Sequence, residues 1–268
     1  MTSEMLNAIQ RPPNALAEIA GRKCPAEDAV LAGAGRVLLV GTGTSHHAAE
    51  LGAPLLESQD GRAAAVSAQQ FVRRRPPLLP GDVMIVITHT GQTAYAPRCL
   101  QLAQQQSIPV IAITGQGAGL DQAVETVPLE KSETYTISYL ASLAVLERLA
   151  NAAGVPGMGH AHLLEAADAV RDVCNDATGT DVVPPARSMA IVGSGLAEVT
   201  AREAALKLRE ASRQIAVGYD AELFLHGSAV PCGPIRWSSS ATTARSTTGF
   251  STRSAAPPAA GTCPPTAL

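Results

Sequence analysis

The sequence predicts an α/β fold: a doubly wound, five-stranded parallel sheet between two layers of helices. Three observations predict it. Short apolar runs alternate with helix-length stretches from about residue 37 to residue 152, the order that a parallel sheet covered on both faces requires. Two of those runs, Val37–Val40 and Val83–Ile87, are almost unbroken in aliphatic residues, as strands buried on both sides are. Apolar residues make up 46% of the chain and aromatics only 3%, so the core must be built from Ala, Val, Leu and Ile. That composition suits helices packed on a sheet and disfavours a stacking platform for bases or sugars.

The elements follow in order. A lead-in helix over 12–22 starts after the Pro12-Pro13 pair. Strand one is Val37–Val40, followed by a helix from about Ser45 to Ser58. Ala63–Val66 is a second short strand and 68–74 a short helix. Strand three, Val83–Ile87, leads to a helix from about Thr93 to Gln106. Strand four is Pro109–Thr114, with a turn over Gly115–Gly119, and Thr126–Leu129 is strand five. A long helix runs from about Tyr135 to Ala152. The three most continuously apolar strands, at 37–40, 83–87 and 109–114, belong at the sheet centre.

The segment Val155-Pro156-Gly157-Met158-Gly159 breaks this pattern. A helix over about 161–175 and a polar linker over 176–187 follow, and then the pattern restarts. Ser188–Val192 reads as a strand, Gly193-Ser194-Gly195 as its turn, and Glu198–Ser212 as a helix. This unit echoes the first about 150 residues earlier, a spacing compatible with two tandem units. The expected organisation is therefore a lead-in over 1–24, a first domain over 25–155, a helical linker over 156–187 and a partial second domain over 188–234. From about Ile235 both periodicities vanish into a Ser/Thr/Ala/Arg/Pro mixture. It reads either as a disordered low-complexity tail or, our preference, as the product of a shifted reading frame in a GC-rich gene.

Bulk properties exclude several function classes. The net charge is −3 with signs mixed, and the one basic cluster, Arg73-Arg74-Arg75, is too short for a nucleic-acid face. The five cysteines are scattered, with no C-x-x-C, which fits a reducing cytoplasm and neither a disulfide framework nor a zinc site. There is no secretory h-region and no apolar run long enough to span a bilayer. The expectation is a cytoplasmic protein with no membrane partner.

Chemistry concentrates at two strand ends. Val37–Val40 ends in Gly41-Thr42-Gly43-Thr44-Ser45, and Val83–Ile87 ends in Thr88-His89-Thr90-Gly91-Gln92-Thr93. A helix N-terminus carries unpaired N–H groups and a partial positive charge, and glycine lets the backbone approach a ligand closely. Two such turns on one sheet suggest one anion held from two sides, most plausibly a phosphate ester. A dinucleotide fingerprint fails, because its third glycine would fall at His46 and no acidic residue ends the second strand. No G-x-x-x-x-G-K-[ST] sequence is present. His46, His47, His160 and His162 have no carboxylate or cysteine at a spacing that completes a metal site, so neither a metal nor a cofactor is expected.

Together these runs resemble the SIS (sugar isomerase) domain family, whose fold is a flavodoxin-like αβα sandwich. Thr42-Gly43-Thr44-Ser45 is similar to its first phosphate turn. Thr88-His89-Thr90-Gly91-Gln92-Thr93 is similar to its Ser-x-Ser-Gly-[Glu/Gln]-Thr turn, with Thr for both serines. Glu203-Ala204-Ala205-Leu206-Lys207-Leu208-Arg209-Glu210 resembles the E-x-A-L-K-L-[KR]-E helix of the isomerase half of glucosamine-fructose-6-phosphate aminotransferase. Ala221–Gly227 resembles the A-E-x-F-x-H-G loop of that enzyme and its deglycase relatives. Two features depart from the pattern: Ser228 replaces the usual proline after His-Gly, and nothing after 235 corresponds to the family's lysine-bearing tail. Nor does the sequence show a glutaminase domain, so ammonia transfer from glutamine is not expected.

The resemblance implies a sugar-phosphate or amino-sugar-phosphate ligand and a homodimer, since relatives build the sugar site across subunits. It implies Glu210 as the base that moves a proton between C1 and C2, and His226 as the ring-opening acid/base. It places Gly43, Thr44, Ser45, Thr88, His89, Thr90, Gly91, Gln92 and Thr93 around the phosphate. Plainer readings stand beside these. Glu210 also reads as a surface carboxylate beside Lys207 and Arg209, His226 as an ordinary loop histidine, and His89 as a position with its ring turned away. Three functions compete: an isomerase, deaminase or deglycase on amino-sugar phosphates; a sugar-phosphate-binding regulator without catalysis; and a truncated, inactive relic.

Overall fold

Strand β1 (Arg36–Gly41), buried along almost its whole length, is an interior strand of the first sheet. It pairs in parallel with β2 (Arg62–Ser67) on one side and with β3 (Asp82–Ile87) on the other. Beyond β3 lie β4 (Val110–Gln116) and β5 (Val124–Pro128), giving a five-stranded parallel sheet in the order β2-β1-β3-β4-β5. The computed structural model describes residues 4–23, 25–57, 62–176 and 188–230.

Eight helices accompany these strands among the described residues: α1 (Glu4–Ile9), α2 (Pro12–Ala20), α3 (Pro25–Ala32), α4 (Thr44–Leu56), α5 (Ala68–Arg74), α6 (Ala96–Gln105), α7 (Ile137–Ala152) and α8 (His160–Asn175). Side chains alternate across a strand, so each strand feeds two cores. Val37, Leu39, Val83, Ile85, Ile111 and Ile113 pack under α2, α4, α7 and α8. Leu38, Val40, Met84 and Val86 pack on the other face under Phe71 of α5 and Cys99 and Ala103 of α6. The apolar runs at 37–40, 83–87 and 109–114 do form the three central strands.

The expected elements occur with boundaries shifted by a few residues, and some differences matter. The helix expected from Thr93 starts at Ala96, so Thr93 lies in an extended loop after β3. Pro97 near the helix start is compatible with this later beginning. Helices α1 and α3 and strand β7 (Ile215–Asp220) carried too little periodicity to be read from sequence.

After α8 comes a second, two-stranded parallel sheet of β6 (Ser188–Gly193) and β7, joined by α9 (Leu196–Ser212). Its opening turn repeats the first in backbone conformation. Gly43, the N-cap of α4, has φ 57° and ψ −128°; Gly195, the N-cap of α9, has φ 58° and ψ −129°. Such a conformation is open to glycine and strained for other residues. A short helical turn at Ala221–Leu223 follows β7, capped by Asp220, and leads into Phe224–Ser228, where His226 and Gly227 leave helical geometry. The described residues up to Ala229 belong to one compact unit. The linker residues 177–187 and the segment 231–268, with its disorder and reading-frame expectations, lie outside the described residues.

Candidate functional site

In a sheet of order 2-1-3-4-5 the chain runs outward in opposite directions from β1 and β3. The C-terminal ends of those strands therefore flank the crevice where such folds hold ligands. Both hydroxyl-rich turns sit there. Gly41 is required because a Cβ on it would lie 2.4 Å from the Ser45 carbonyl oxygen, so the first turn of α4 folds directly over the strand end.

A cavity of about 270 Å³ opens at this crevice. Thr42, Gly43, Thr44, Ser45 and Ala48 line it from the first turn and α4, and His89, Thr90 and Thr93 from the second. Tyr135, Ser138, Tyr139 and Ser142 line it from the start of α7. Leu206 and Glu210 of α9 close it. Of the residues singled out from sequence, Gly43, Thr44, Ser45, His89, Thr90, Thr93 and Glu210 therefore meet at one cavity.

The others do not line it. Thr88 is 2% exposed, and its hydroxyl lies 3.4 Å from that of Thr93, which it helps to orient. Gly91 has φ 69° and packs against the carbonyl of Ala118, so it shapes the loop. Gln92 is exposed, and its backbone N–H donates to Thr90 Oγ1 at 3.3 Å. His226 is exposed on the irregular segment after β7 and is absent from the cavity wall.

His89 reaches the cavity wall, but its ring is held from behind. Its Nε2 accepts the Glu130 backbone N–H at 3.0 Å, and its edge meets the Tyr135 ring at 5.3 Å between centroids. Gly115 makes room for that ring, since a Cβ there would lie 2.6 Å from His89 Cε1. Burial pushes the His89 pKa below the usual histidine value, with Glu130 acting weakly in the opposite sense, so the ring is neutral at pH 7. The Glu130 carboxylate in turn accepts the backbone N–H groups of Thr136 (3.1 Å) and Ser138 (2.9 Å), which sets the start of α7.

Sequence reasoning missed Glu203. It is 5% exposed; its Oε1 accepts from the Thr44 hydroxyl at 3.0 Å, and its Oε2 lies 2.6 Å from His47 Nδ1. Lys207 Nζ sits 3.4 Å from Glu203 and 2.7 Å from Glu210. Spacings of four and three place Glu203, Lys207 and Glu210 along one helix face, a signal present in the sequence. The histidines considered as metal ligands do have carboxylate neighbours, contributed by distant segments or a helical turn away. His47 meets Glu203, His46 lies 3.8 Å from Glu50, and His162 lies 2.8 Å from Glu147. Among the described residues no three His, Cys, Asp or Glu side chains gather in a metal-binding group.

A second cavity, of about 310 Å³, lies between the ends of α2, α7 and α8. Arg22 there is engaged with Glu18 and the carbonyls of Glu125 and Thr126, whereas Arg148 makes only a 3.6 Å ion pair with Asp28, and its Nε and the Asp28 Oδ1 are buried without a hydrogen-bond partner. No helix among the described residues is long and apolar enough to cross a membrane.

The model of the SIS domain matches residues 30–152, which cover β1 to β5 and all of α7. The chain is 29% identical over 214 residues to a glutamine–fructose-6-phosphate aminotransferase [isomerizing] of Shouchella clausii, covering 72% of this chain and 35% of that protein. It is 29% identical over 255 residues to the same-named protein of Aeropyrum pernix, covering 83% and 40%. The chain thus spans little more than a third of the length of these curated relatives. Among solved structures, the C-terminal domain of the Francisella tularensis glucosamine-fructose-6-phosphate aminotransferase superposes with a TM-score of 0.68 at 17% identity, covering 86% of this chain and 73% of that one. Tagatose-6-phosphate ketose/aldose isomerase of Escherichia coli gives 0.72 at 20% identity, covering 85% and 70%. At those identities the superpositions establish the fold.

Proposed function

We propose that this chain, whose residues 30–152 match the SIS domain model, binds a sugar phosphate or amino-sugar phosphate and performs isomerase- or deaminase-type chemistry on it. The supporting observation is that Glu210, on a helix of the second sheet, lines the same cavity as the two hydroxyl-rich turns of the first. In this reading the N-terminus of α4 and the hydroxyls of Ser45, Thr90 and Thr93 receive the phosphate. Glu210 takes a proton from C2 of the open-chain sugar and returns it to C1 through an enediol or enolamine, as a positioned general base does. Lys207, 2.7 Å away, orients that carboxylate. The wider relatives' printed names, which include an aminotransferase, a ketose/aldose isomerase and a glucosamine-6-phosphate deaminase, are compatible with this class of substrate.

The exposure of His226 outside the cavity favours a second reading, sugar-phosphate binding without ring opening by this copy. A homodimer, checked by light scattering, would reconcile the two by bringing His226 of the partner subunit to the site. The arrangement of a first domain over 25–155, a helical linker and a partial second domain over 188–234, and a cytoplasmic location, belong to the same proposal.

The test is isotope exchange. In deuterated water the protein is expected to place deuterium at C1 of fructose 6-phosphate or at C2 of glucosamine 6-phosphate. Glu210→Gln should lower that exchange by about 10²-fold or more while binding persists. Thr90→Val and Thr93→Val should each weaken binding by about 1–2 kcal/mol, the scale of one hydrogen bond to a charged group. Binding without exchange in the wild type would leave the second reading.

A further inference from the structure

Thr44 owns one hydroxyl proton, and it is already committed. Thr44 Oγ1 donates to Glu203 Oε1 at 3.0 Å. The Glu203 carboxylate, 5% exposed, is held in that position by His47 Nδ1 at 2.6 Å and Lys207 Nζ at 3.4 Å. A carboxylate only accepts, so turning the hydroxyl round would cost the buried Glu203 one of its three partners. What Thr44 shows to the cavity is therefore a lone pair. A phosphate monoester near pH 7 is mostly a dianion whose oxygens are acceptors. Set against Thr44 Oγ1 it would meet lone pair with lone pair, with the Glu203 charge behind. A sugar hydroxyl or a sugar ammonium group is the complementary neighbour.

A second observation points the same way. The Tyr139 hydroxyl, from the same cavity wall, is buried and has no hydrogen-bond partner. Burial raises its pKa, with Glu203 and Glu50 adding to the effect, so it stays a neutral donor awaiting an acceptor. A donor and an acceptor lining one cavity suit the hydroxyl-bearing end of a sugar.

We propose that Glu203 is a positioning residue that fixes the Thr44 hydroxyl as a hydrogen-bond acceptor toward the cavity. Thr44 then reads the sugar end of the ligand, and the phosphate is left to Ser45, Thr90 and Thr93. This rests on the reading that the cavity holds a sugar phosphate. It departs from the sequence-based expectation that the Thr44 side chain binds phosphate.

The test compares two probes by calorimetry, fructose 6-phosphate and inorganic phosphate, on wild type, Thr44→Val, Thr44→Ser and Glu203→Gln, with thermal melts to confirm folding. The wild type is expected to prefer the sugar phosphate. Thr44→Val and Glu203→Gln should each shrink that preference by about fivefold or more, the scale of one hydrogen bond, with inorganic phosphate bound as well as before. Thr44→Ser, which keeps the hydroxyl, should restore the preference. Loss of both affinities in step would make Glu203 a structural residue and overturn the proposal, as would an unchanged preference in both variants. A wild type that binds neither probe overturns the sugar-phosphate reading itself, and this inference with it.

Discussion

At the scale of single residues, partners decide roles. His89 lines the cavity where a phosphate contact was expected; its Nε2 accepts the Glu130 N–H and its edge meets Tyr135, while its buried Nδ1 has no hydrogen-bond partner. Its pKa is depressed by burial, so the neutral form is favoured in the folded state. The sign follows from linkage: the stability contributed is complete above the unfolded value of about 6.5 and is lost as pH falls below it, toward the lower folded value. His46, whose pKa burial also lowers against the opposing charge of Glu50, acts in the same window. Asp82, held below the usual carboxylate range by its hydrogen bonds with Arg36, acts only at more acidic pH. Unfolding free energy measured between pH 7 and pH 5 should therefore decline, and His89→Gln should make the decline shallower. An unchanged slope would assign it elsewhere, to His46 first. Glu203 teaches the same lesson as His89, since its closest partners lie more than 150 positions away in the chain.

At the scale of elements, one strand–turn–helix design is used twice. Gly41 and Gly193 each lie where the helix that follows folds over the strand end, with an added Cβ meeting the Ser45 carbonyl oxygen at 2.4 Å and that of Ala197 at 2.1 Å. Alanine at either position must push the helix start away from its strand. We expect Gly41→Ala and Gly193→Ala to cost about 1–3 kcal/mol each in chemical denaturation, the usual scale of overpacking. Their effects on ligand should differ. Gly41→Ala displaces Thr44 and Ser45 directly and should weaken sugar-phosphate binding most; Gly193→Ala, whose turn is outside the cavity, should weaken it less, through the shift it forces on α9 and hence on Leu206 and Glu210. Equal losses of binding would mean that the second turn also holds ligand.

At the scale of the molecule, the two sheets are unequal. The first has five strands and a core on each face. The second has two strands among the described residues, with Ile215 64% and Val217 39% exposed, and it packs on α9. A two-stranded sheet is marginal without packing support. Its anchor is polar as well as apolar: Arg202 of α9 pairs with Glu50 of α4 at 2.9 Å, and Gly218 of β7 lets the strand approach the Arg202 backbone. Amide exchange should therefore be at least about tenfold faster in β6 and β7 than in β1, β3 and β4, as expected for a less buried cooperative unit. Ligand should slow exchange in α9, since that helix supplies Glu210. Uniform protection across both sheets would contradict this ranking.

The central strands, the two hydroxyl-rich turns and the Glu203–Glu210 helix were legible in the sequence because each is a local pattern. Aliphatic runs mark strands buried on both faces, and glycine and threonine at their ends mark where helices begin. Strands β1, β3 and β4 needed no partner to be recognised. Two kinds of fact required the tertiary structure. The late start of α6 moved Thr93 into a loop, a boundary that local propensity defines poorly. The occupation of His89 by Glu130, and of Thr44 by Glu203, depends on which distant groups the fold brings within 3 Å, and hydrogen-bond partners across a fold have no spacing in sequence. The placement of His226 outside the cavity that holds Glu210 is of the same kind. Local sequence sets what a segment can offer; packing decides which of its donors and acceptors are still free to meet a ligand.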